Sequence, residues 1–293
     1  MTEAGDERPT HGKRGHGSDP RALVVIPTYQ EAATIVRALD VLDAAAPALH
    51  VLVVDDASPD GTGELVAARA ERSPGLHLLR RAGKQGLGTA YLEGFAWGLE
   101  RGYDVVVEMD ADGSHDPAIV PVLLAGLEDA DLVIGSRYVP GGEIPGWGWQ
   151  RRALSAIGNR YASLALRLAV ADLTSGFRAY RADLLRRVDL DGVRSNGCAF
   201  QIEMALRAAL AGGRIAEVPI RFVDRTEGSS KMSAAIAAEA LLRVTAWSLR
   251  PPALGRARPA GVEPAPVVAS LAAGEDAPLV GPAGRAGVHP PLS

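Results

Sequence analysis

The stretch Asp104-Val105-Val106-Val107-Glu108-Met109-Asp110-Ala111-Asp112-Gly113-Ser114-His115 decides the fold. Its first half is a run of β-branched and apolar residues, the pattern of a buried strand. Its second half turns acidic where the strand should stop. In extended backbone, side chains two apart point to the same side, so Asp110 and Asp112 can present carboxylates to a common point. That arrangement suits a hard cation such as Mg²⁺ or Mn²⁺, which takes a few carboxylates plus phosphate oxygens and water; zinc would favour His or Cys. Taken alone, the same residues also read as a turn or as caps ahead of Pro117.

Working outward, the segment belongs to a series. Strands are expected at Ala22–Ile26, Val51–Asp55, Leu76–Leu79, Asp104–Met109 and Leu132–Gly135, with helices at about Glu31–Ala46, Thr62–Arg72, Leu87–Arg101 and Pro117–Leu127 between them. Alternation of this kind is the signature of βαβ units around a mostly parallel, doubly wound sheet. Ligands of such sheets bind beyond the carboxyl ends of the strands. Those ends are polar here: Pro27-Thr28-Tyr29-Gln30-Glu31, Asp55-Asp56, Asp110-Ala111-Asp112 and Ser136-Arg137-Tyr138 converge on one rim. Asp55 to Gly61 by itself would also fit a strand and turn, or a phospho-receiver pocket. The later Asp-Ala-Asp has no place in a receiver.

Composition bounds the rest. With 293 residues, 47% of them hydrophobic, the chain can build one substantial α/β domain or two small ones. A net charge of -4 argues against nucleic acid as a partner. The single cysteine, Cys198, excludes an intrachain disulfide and a thiolate metal cluster, and fits a reducing cytosol. Residues 1–20 read as a solvated, disordered arm without the apolar core of a signal peptide. Residues 251–293, which hold nine of the 20 prolines, read as a disordered Pro/Ala/Gly-rich tail. No uncharged stretch approaches the roughly 20 apolar residues that span a bilayer, since the segment 233–250 carries Glu239 and Arg243. That segment reads as an amphipathic helix, lying on the membrane or packed in the core. The second half also predicts an Arg-rich amphipathic helix near Arg151–Leu168, a helix at Phe200–Leu210, and an extended Ile215–Phe222 whose Pro219 suggests a sheet edge.

The loop Gly83-Lys84-Gln85-Gly86-Leu87-Gly88 lacks the Gly-Lys-Ser/Thr order of a Walker A loop, which disfavours an ATPase. Its glycines permit a tight turn into the following helix, and Lys84 can reach the polar rim.

Together these motifs resemble glycosyltransferase family two, and within it the dolichol- or polyprenol-phosphate mannose synthase branch. The resemblance rests on Pro27 to Glu31, on Val53-Val54-Asp55-Asp56 with Ser58-Pro59-Asp60-Gly61-Thr62, and on Gly83 to Ala90. It continues through Met109 to His115, Gly135 to Tyr138, Asp172-Leu173-Thr174-Ser175-Gly176-Phe177-Arg178-Ala179-Tyr180 and Phe200-Gln201-Ile202-Glu203. Glu217 to Ile220 and Phe222-Val223-Asp224-Arg225 with Gly228, Ser230 and Lys231 complete it, so that it spans about residues 21 to 250.

The resemblance implies a GT-A-type nucleotide-diphospho-sugar transferase domain over residues 21–232. The implied activity is inverting transfer of mannose from GDP-mannose to a polyprenyl phosphate, on a metal, Mg²⁺ or Mn²⁺. By the same token Pro27, Tyr29, Glu31, Val54 and Asp56 hold the nucleotide, and Asp110, Ala111 and Asp112 meet the diphosphate and metal with Ser114 as a further oxygen ligand. Arg137, Arg225 and Lys231 supply the cations for donor and acceptor phosphates. Arg151, Arg152 and Arg160 either meet the lipid phosphate or anionic headgroups, or form a solvated helix face. His115 is read as structural. The implied partners are the membrane surface or a membrane-embedded subunit, and the implied location is peripheral at the cytoplasmic face. Gln30, where the family more often has Asn, and Asn196-Gly197-Cys198-Ala199 ahead of Phe200 depart from the pattern and bear on acceptor fit. A UDP-glucose-dependent relative and a noncatalytic scaffold of the same fold are the rival functions.

Overall fold

The computed structural model describes residues 20–224 and 234–252. Among them the chain runs β1 (Ala22–Thr28), α1 (Ile35–Ala45), β2 (His50–Asp55), α2 (Thr62–Ala70), β3 (Leu76–Arg80), α3 (Leu87–Glu100) and β4 (Val105–Glu108). A 3-10 turn at Pro117–Ile119 leads into α4 (Val120–Gly126), followed by β5 (Leu132–Ser136), α5 (Trp149–Leu166), β6 (Arg178–Arg181), α6 (Ala182–Arg187), α7 (Gly197–Leu210), β7 (Ile215–Pro219) and α8 (Ala234–Leu249). The seven strands form one sheet in the order β3-β2-β1-β4-β6-β5-β7. All neighbours are parallel except β6, which runs antiparallel to both β4 and β5.

Strands covered on both faces need apolar side chains on both faces. In β1, Leu23 and Val25 join a core with Tyr91 and Phe95 of α3 and Phe200 of α7. Val24 and Ile26 point the other way, into a core with Ile35, Leu39 and Leu42 of α1 and Leu123 of α4. The five expected strands and four expected helices are all present. The expected edge position of Pro219 also holds, since β7 closes one side of the sheet.

One strand was not expected. β6 is four residues long and reads Arg-Ala-Tyr-Arg, which carries no hydrophobic alternation. Arg178 is nonetheless fully buried, because its guanidinium donates to the carbonyls of Ser175, Leu173 and Gln201 at 2.7–2.8 Å. In the register it lies opposite Glu108 of β4. A buried charge survives when its donors are satisfied and an opposite charge is near.

Helix α3 sits unusually close to the sheet. A Cβ built on Gly94 would lie 2.3 Å from Cγ1 of Val25, whose side chain is fully buried. Gly94→Ala gains about 1 kcal/mol of helix propensity but forces overpacking that costs about 1–3 kcal/mol. A net fall in urea-unfolding stability is expected; a rise would mean that α3 can lift off β1 at little cost.

Candidate active site

The register of β1 and β2 pairs Thr28 with Asp55 at their carboxyl ends. Thr28 Oγ1 donates to Asp55 at 2.9 Å, and the backbone N–H of Ser58 donates to the same carboxylate at 3.1 Å. The chain after β1 is tied down in turn. Gln30, with φ 61°, donates its N–H to Ser58, Glu31 donates its N–H to Thr62, and Ala32 donates its N–H to Asp60. Tyr29 is thereby fixed at the rim, where the Lys84 ammonium stands 4.0 Å from its ring centre. The nucleotide residues of the sequence reading thus gather at one place, and Lys84 joins them.

Two of those residues sit differently from what their type suggests. The Val54 side chain is fully buried in the core, so it could meet a ligand only through its backbone. The Asp56 carboxylate accepts from Arg81 at 2.7 Å and from the backbone N–H groups of Gln85 and Gly86 at 3.1 and 3.4 Å. It holds the glycine loop in place from below. Arg81, which the sequence reading passed over, has no motif to mark it.

Beyond β4, Asp110 Oδ1 accepts from the Tyr91 hydroxyl at 2.8 Å, and its backbone N–H donates to His115 Nδ1 at 3.1 Å. Asp112 is buried and accepts the backbone N–H of Ser114 at 3.0 Å. Ala111 packs into the core between them, and Ser114 is buried beside them. His115 stacks on Phe177 with ring centres 4.9 Å apart, which suits the structural role read for it. Tyr91 stays a neutral donor: burial, then the nearby carboxylates, push its hydroxyl well above its ordinary value.

Below this pair lies a second buried polar group. Burial drives the Glu108 carboxyl up to about 7, against the pull of Arg178. The Tyr180 hydroxyl and the Gln201 amide lie beside it and favour its charged form, although neither reaches full hydrogen-bond geometry with it.

Arg137, read as a phosphate-binding cation, is held by the protein itself. It is 9% exposed, and its Nε and Nη2 each lie 2.7 Å from the Asp172 carboxylate, a forked pair, with Thr174 Oγ1 at 2.8 Å. The rings of Phe222, Tyr138 and Trp147 stand 5.2, 5.6 and 5.7 Å from its guanidinium carbon. Burial tends to raise the Asp172 carboxyl, but the Arg137 charge and hydrogen bonds outweigh it and hold the group below the usual carboxylate range. Arg151 covers Trp147 at 3.9 Å and pairs with Asp224 at 2.8 Å. Arg225 and Lys231 lie outside the described residues.

Among the described residues no three His, Cys, Asp or Glu side chains gather to hold a metal. A cation between Asp110 and Asp112 would therefore complete its shell with oxygens from a ligand and from water. This donor set fits Mg²⁺ or Mn²⁺, which are commonly bound by one or two carboxylates together with substrate phosphates. It does not fit zinc.

Known proteins resemble this chain in sequence and in fold. An undecaprenyl-phosphate mannosyltransferase from Micrococcus luteus is 53% identical over 229 residues, covering 78% of this chain and 94% of the relative. A polyprenol monophosphomannose synthase from Mycolicibacterium smegmatis is 46% identical over 251 residues, covering 83% and 95%. Among solved structures, a mannosyltransferase from Pyrobaculum calidifontis in complex with GDP-Man and Mn²⁺ superposes with a TM-score of 0.54 at 22% identity, covering 80% of this chain and 65% of the other. Glucosyl-3-phosphoglycerate synthase from Mycobacterium tuberculosis gives 0.54 at 21% identity, covering 78% and 79%. These two likenesses establish the shared fold. Residues 23–189, which hold β1 to β6 and both carboxylates of the Asp-Ala-Asp element, match the sequence model for glycosyl transferase family 2. With its strand-end carboxylates on one rim and two close relatives matched over nearly their full length, the chain belongs to glycosyl transferase family 2.

Proposed function

We propose that this enzyme transfers mannose from GDP-mannose to a polyprenyl phosphate, with inversion at the anomeric carbon. The observation that carries the reading is 53% identity to an undecaprenyl-phosphate mannosyltransferase in a chain whose Asp110 and Asp112 stand together at the end of β4. Tyr29 and Lys84 would flank the nucleotide, with Pro27 and Glu31 beside them. A divalent cation, Mg²⁺ or Mn²⁺, on Asp110 and Asp112 and near Ser114 would neutralise the diphosphate as it departs. Arg225 and Lys231 are assigned to the donor and acceptor phosphates, and so is Arg137 if it exchanges part of its pairing with Asp172 on binding.

A polyprenyl phosphate is already anionic at neutral pH, so its oxygen attacks without losing a proton. No general base is required, in keeping with a His115 whose Nδ1 is already bonded to backbone. The protein's contribution is orientation and charge stabilisation. Purified enzyme incubated with Mg²⁺, polyprenyl phosphate and either labelled GDP-mannose or labelled UDP-glucose is expected to label lipid from GDP-mannose. Exclusive glucose transfer would overturn the donor assignment; donor binding with no product would favour the scaffold.

The lipid acceptor requires contact with a membrane. No helix among the described residues is long and apolar enough to cross one. Helix α5 instead exposes Trp149, Leu154, Ile157, Tyr161 and Leu164, carries Arg151, Arg152 and Arg160, and has no acidic residue. It packs against α8, where Leu242 and Leu249 are also exposed. Apolar stripes edged by arginine suit the interface of an anionic bilayer. Ile157→Glu with Leu164→Glu is expected to cut cosedimentation with anionic liposomes at least tenfold while turnover on a short-chain, water-soluble acceptor holds. Unchanged cosedimentation would exclude this face.

A further inference from the structure

We propose that Tyr91 is a positioning residue that keeps Oδ1 of Asp110 out of the cation's shell and so biases the site toward small, octahedral cations over Ca²⁺. The inference rests on the reading of Asp110 as a metal ligand. Tyr91 lies on α3, immediately after the Gly83–Ala90 stretch but outside the quoted motifs, and is fully buried. Its hydroxyl donates to Asp110 Oδ1 at 2.8 Å.

The ring has little freedom to leave. It stacks on Phe200 with centres 6.1 Å apart and planes 7° apart, and packs on Phe95 at 6.1 Å. The other oxygen faces a different neighbourhood. A Cβ placed on Gly176 would lie 3.7 Å from Asp110 Oδ2, 3.4 Å from Gln201 Nε2 and 3.8 Å from His115 Cε1. Gly176, which carries no side chain, borders the Oδ2 side. The two oxygens of Asp110 are therefore unlike, one committed to α3 and one turned toward the loop ahead of β6.

That asymmetry has a chemical consequence. Ca²⁺ readily takes both oxygens of a carboxylate, whereas Mg²⁺ demands near-ideal octahedral geometry and keeps several waters. A carboxylate with one oxygen held by a phenol favours one-oxygen ligation. Groups that orient a metal ligand in this way typically affect metal affinity or activity about 10–100-fold.

The test is a Mn²⁺ titration, followed by the free-ion electron paramagnetic resonance signal, on the full chain with saturating GDP. Wild type, Tyr91→Phe and Phe95→Leu are compared, and bound Mn²⁺ is then displaced with Mg²⁺ or Ca²⁺. Tyr91→Phe is expected to bind Mn²⁺ about tenfold more weakly and to shift the Ca²⁺ to Mg²⁺ displacement ratio about tenfold toward Ca²⁺. Phe95→Leu loosens the same packing but keeps the hydroxyl, and is expected to lower thermal stability with the displacement ratio within twofold of wild type. An unshifted ratio in Tyr91→Phe, or an equal shift in Phe95→Leu, overturns the proposal. Wild type that binds no Mn²⁺ with GDP overturns the metal reading itself, a distinguishable result.

Discussion

Asp112→Ala is expected to lower kcat by about a thousandfold while the protein remains folded. Removing a preorganised group that stabilises developing charge costs about 2.7–4 kcal/mol, and the upper figure corresponds to about three powers of ten in rate. Two effects are mixed in that substitution. The Asp112 carboxylate also accepts the Ser114 N–H at 3.0 Å in a buried setting, and leaving that donor unmet costs about 1–3 kcal/mol of stability. Asp112→Asn separates them, because the amide oxygen can still accept the Ser114 N–H but carries no charge. The Asn variant should therefore keep near wild-type urea stability and still lose most turnover. Chelation by EDTA is expected to abolish wild-type activity, and added Mn²⁺ or Mg²⁺ to restore it. Full activity in EDTA, or an Asn variant as fast as wild type, would remove the cation from the reaction.

Asp112 was legible because its environment is local. A strand that is buried on both faces must read as an apolar run, and the residues that break the run at its carboxyl end must face the rim. That logic found β1 to β5, and with them Asp56, Asp110 and Arg137. It could not find β6, because Arg178 is buried by backbone carbonyls of Leu173, Ser175 and Gln201, and a carbonyl acceptor leaves no mark in residue type.

The same limit applies to partners. Tyr91 and Arg81 sit on α3 and just after β3, and their bonds to Asp110 and Asp56 exist only once the sheet is assembled. Motif resemblance marks Arg137 as a phosphate cation, but no local signal in the sequence shows that a carboxylate of the same chain pairs with it. Its partner Asp172 lies 35 residues on, in a stretch recognised as a motif but given no task.

Breaking the Arg137–Asp172 pair is expected to have the largest effect on stability. Both groups are buried, and removal of one partner from such a pair strands the other charge at a cost of about 3–5 kcal/mol. Asp172→Asn should show a loss of that size in urea unfolding at pH 7. The loss should depend on pH in a defined direction. The Asp172 carboxyl is held below its ordinary value in the folded protein, so its contribution is fully present above the ordinary value of about 3.9 and fades as the pH falls through the lower folded value. The gap in stability between wild type and Asp172→Asn should therefore be constant from neutral pH down to about pH 5. It should narrow only in stronger acid, and a gap that widened on acidification would refute the assignment. The double variant Arg137→Met with Asp172→Leu removes both charges and keeps apolar volume, a replacement that is often neutral or stabilising for a buried pair. It should recover stability relative to either single change. Turnover then decides what Arg137 is for: activity restored along with stability makes the pair a scaffold for the β5 end, and activity still lost in a stable protein assigns the guanidinium to the substrate phosphates.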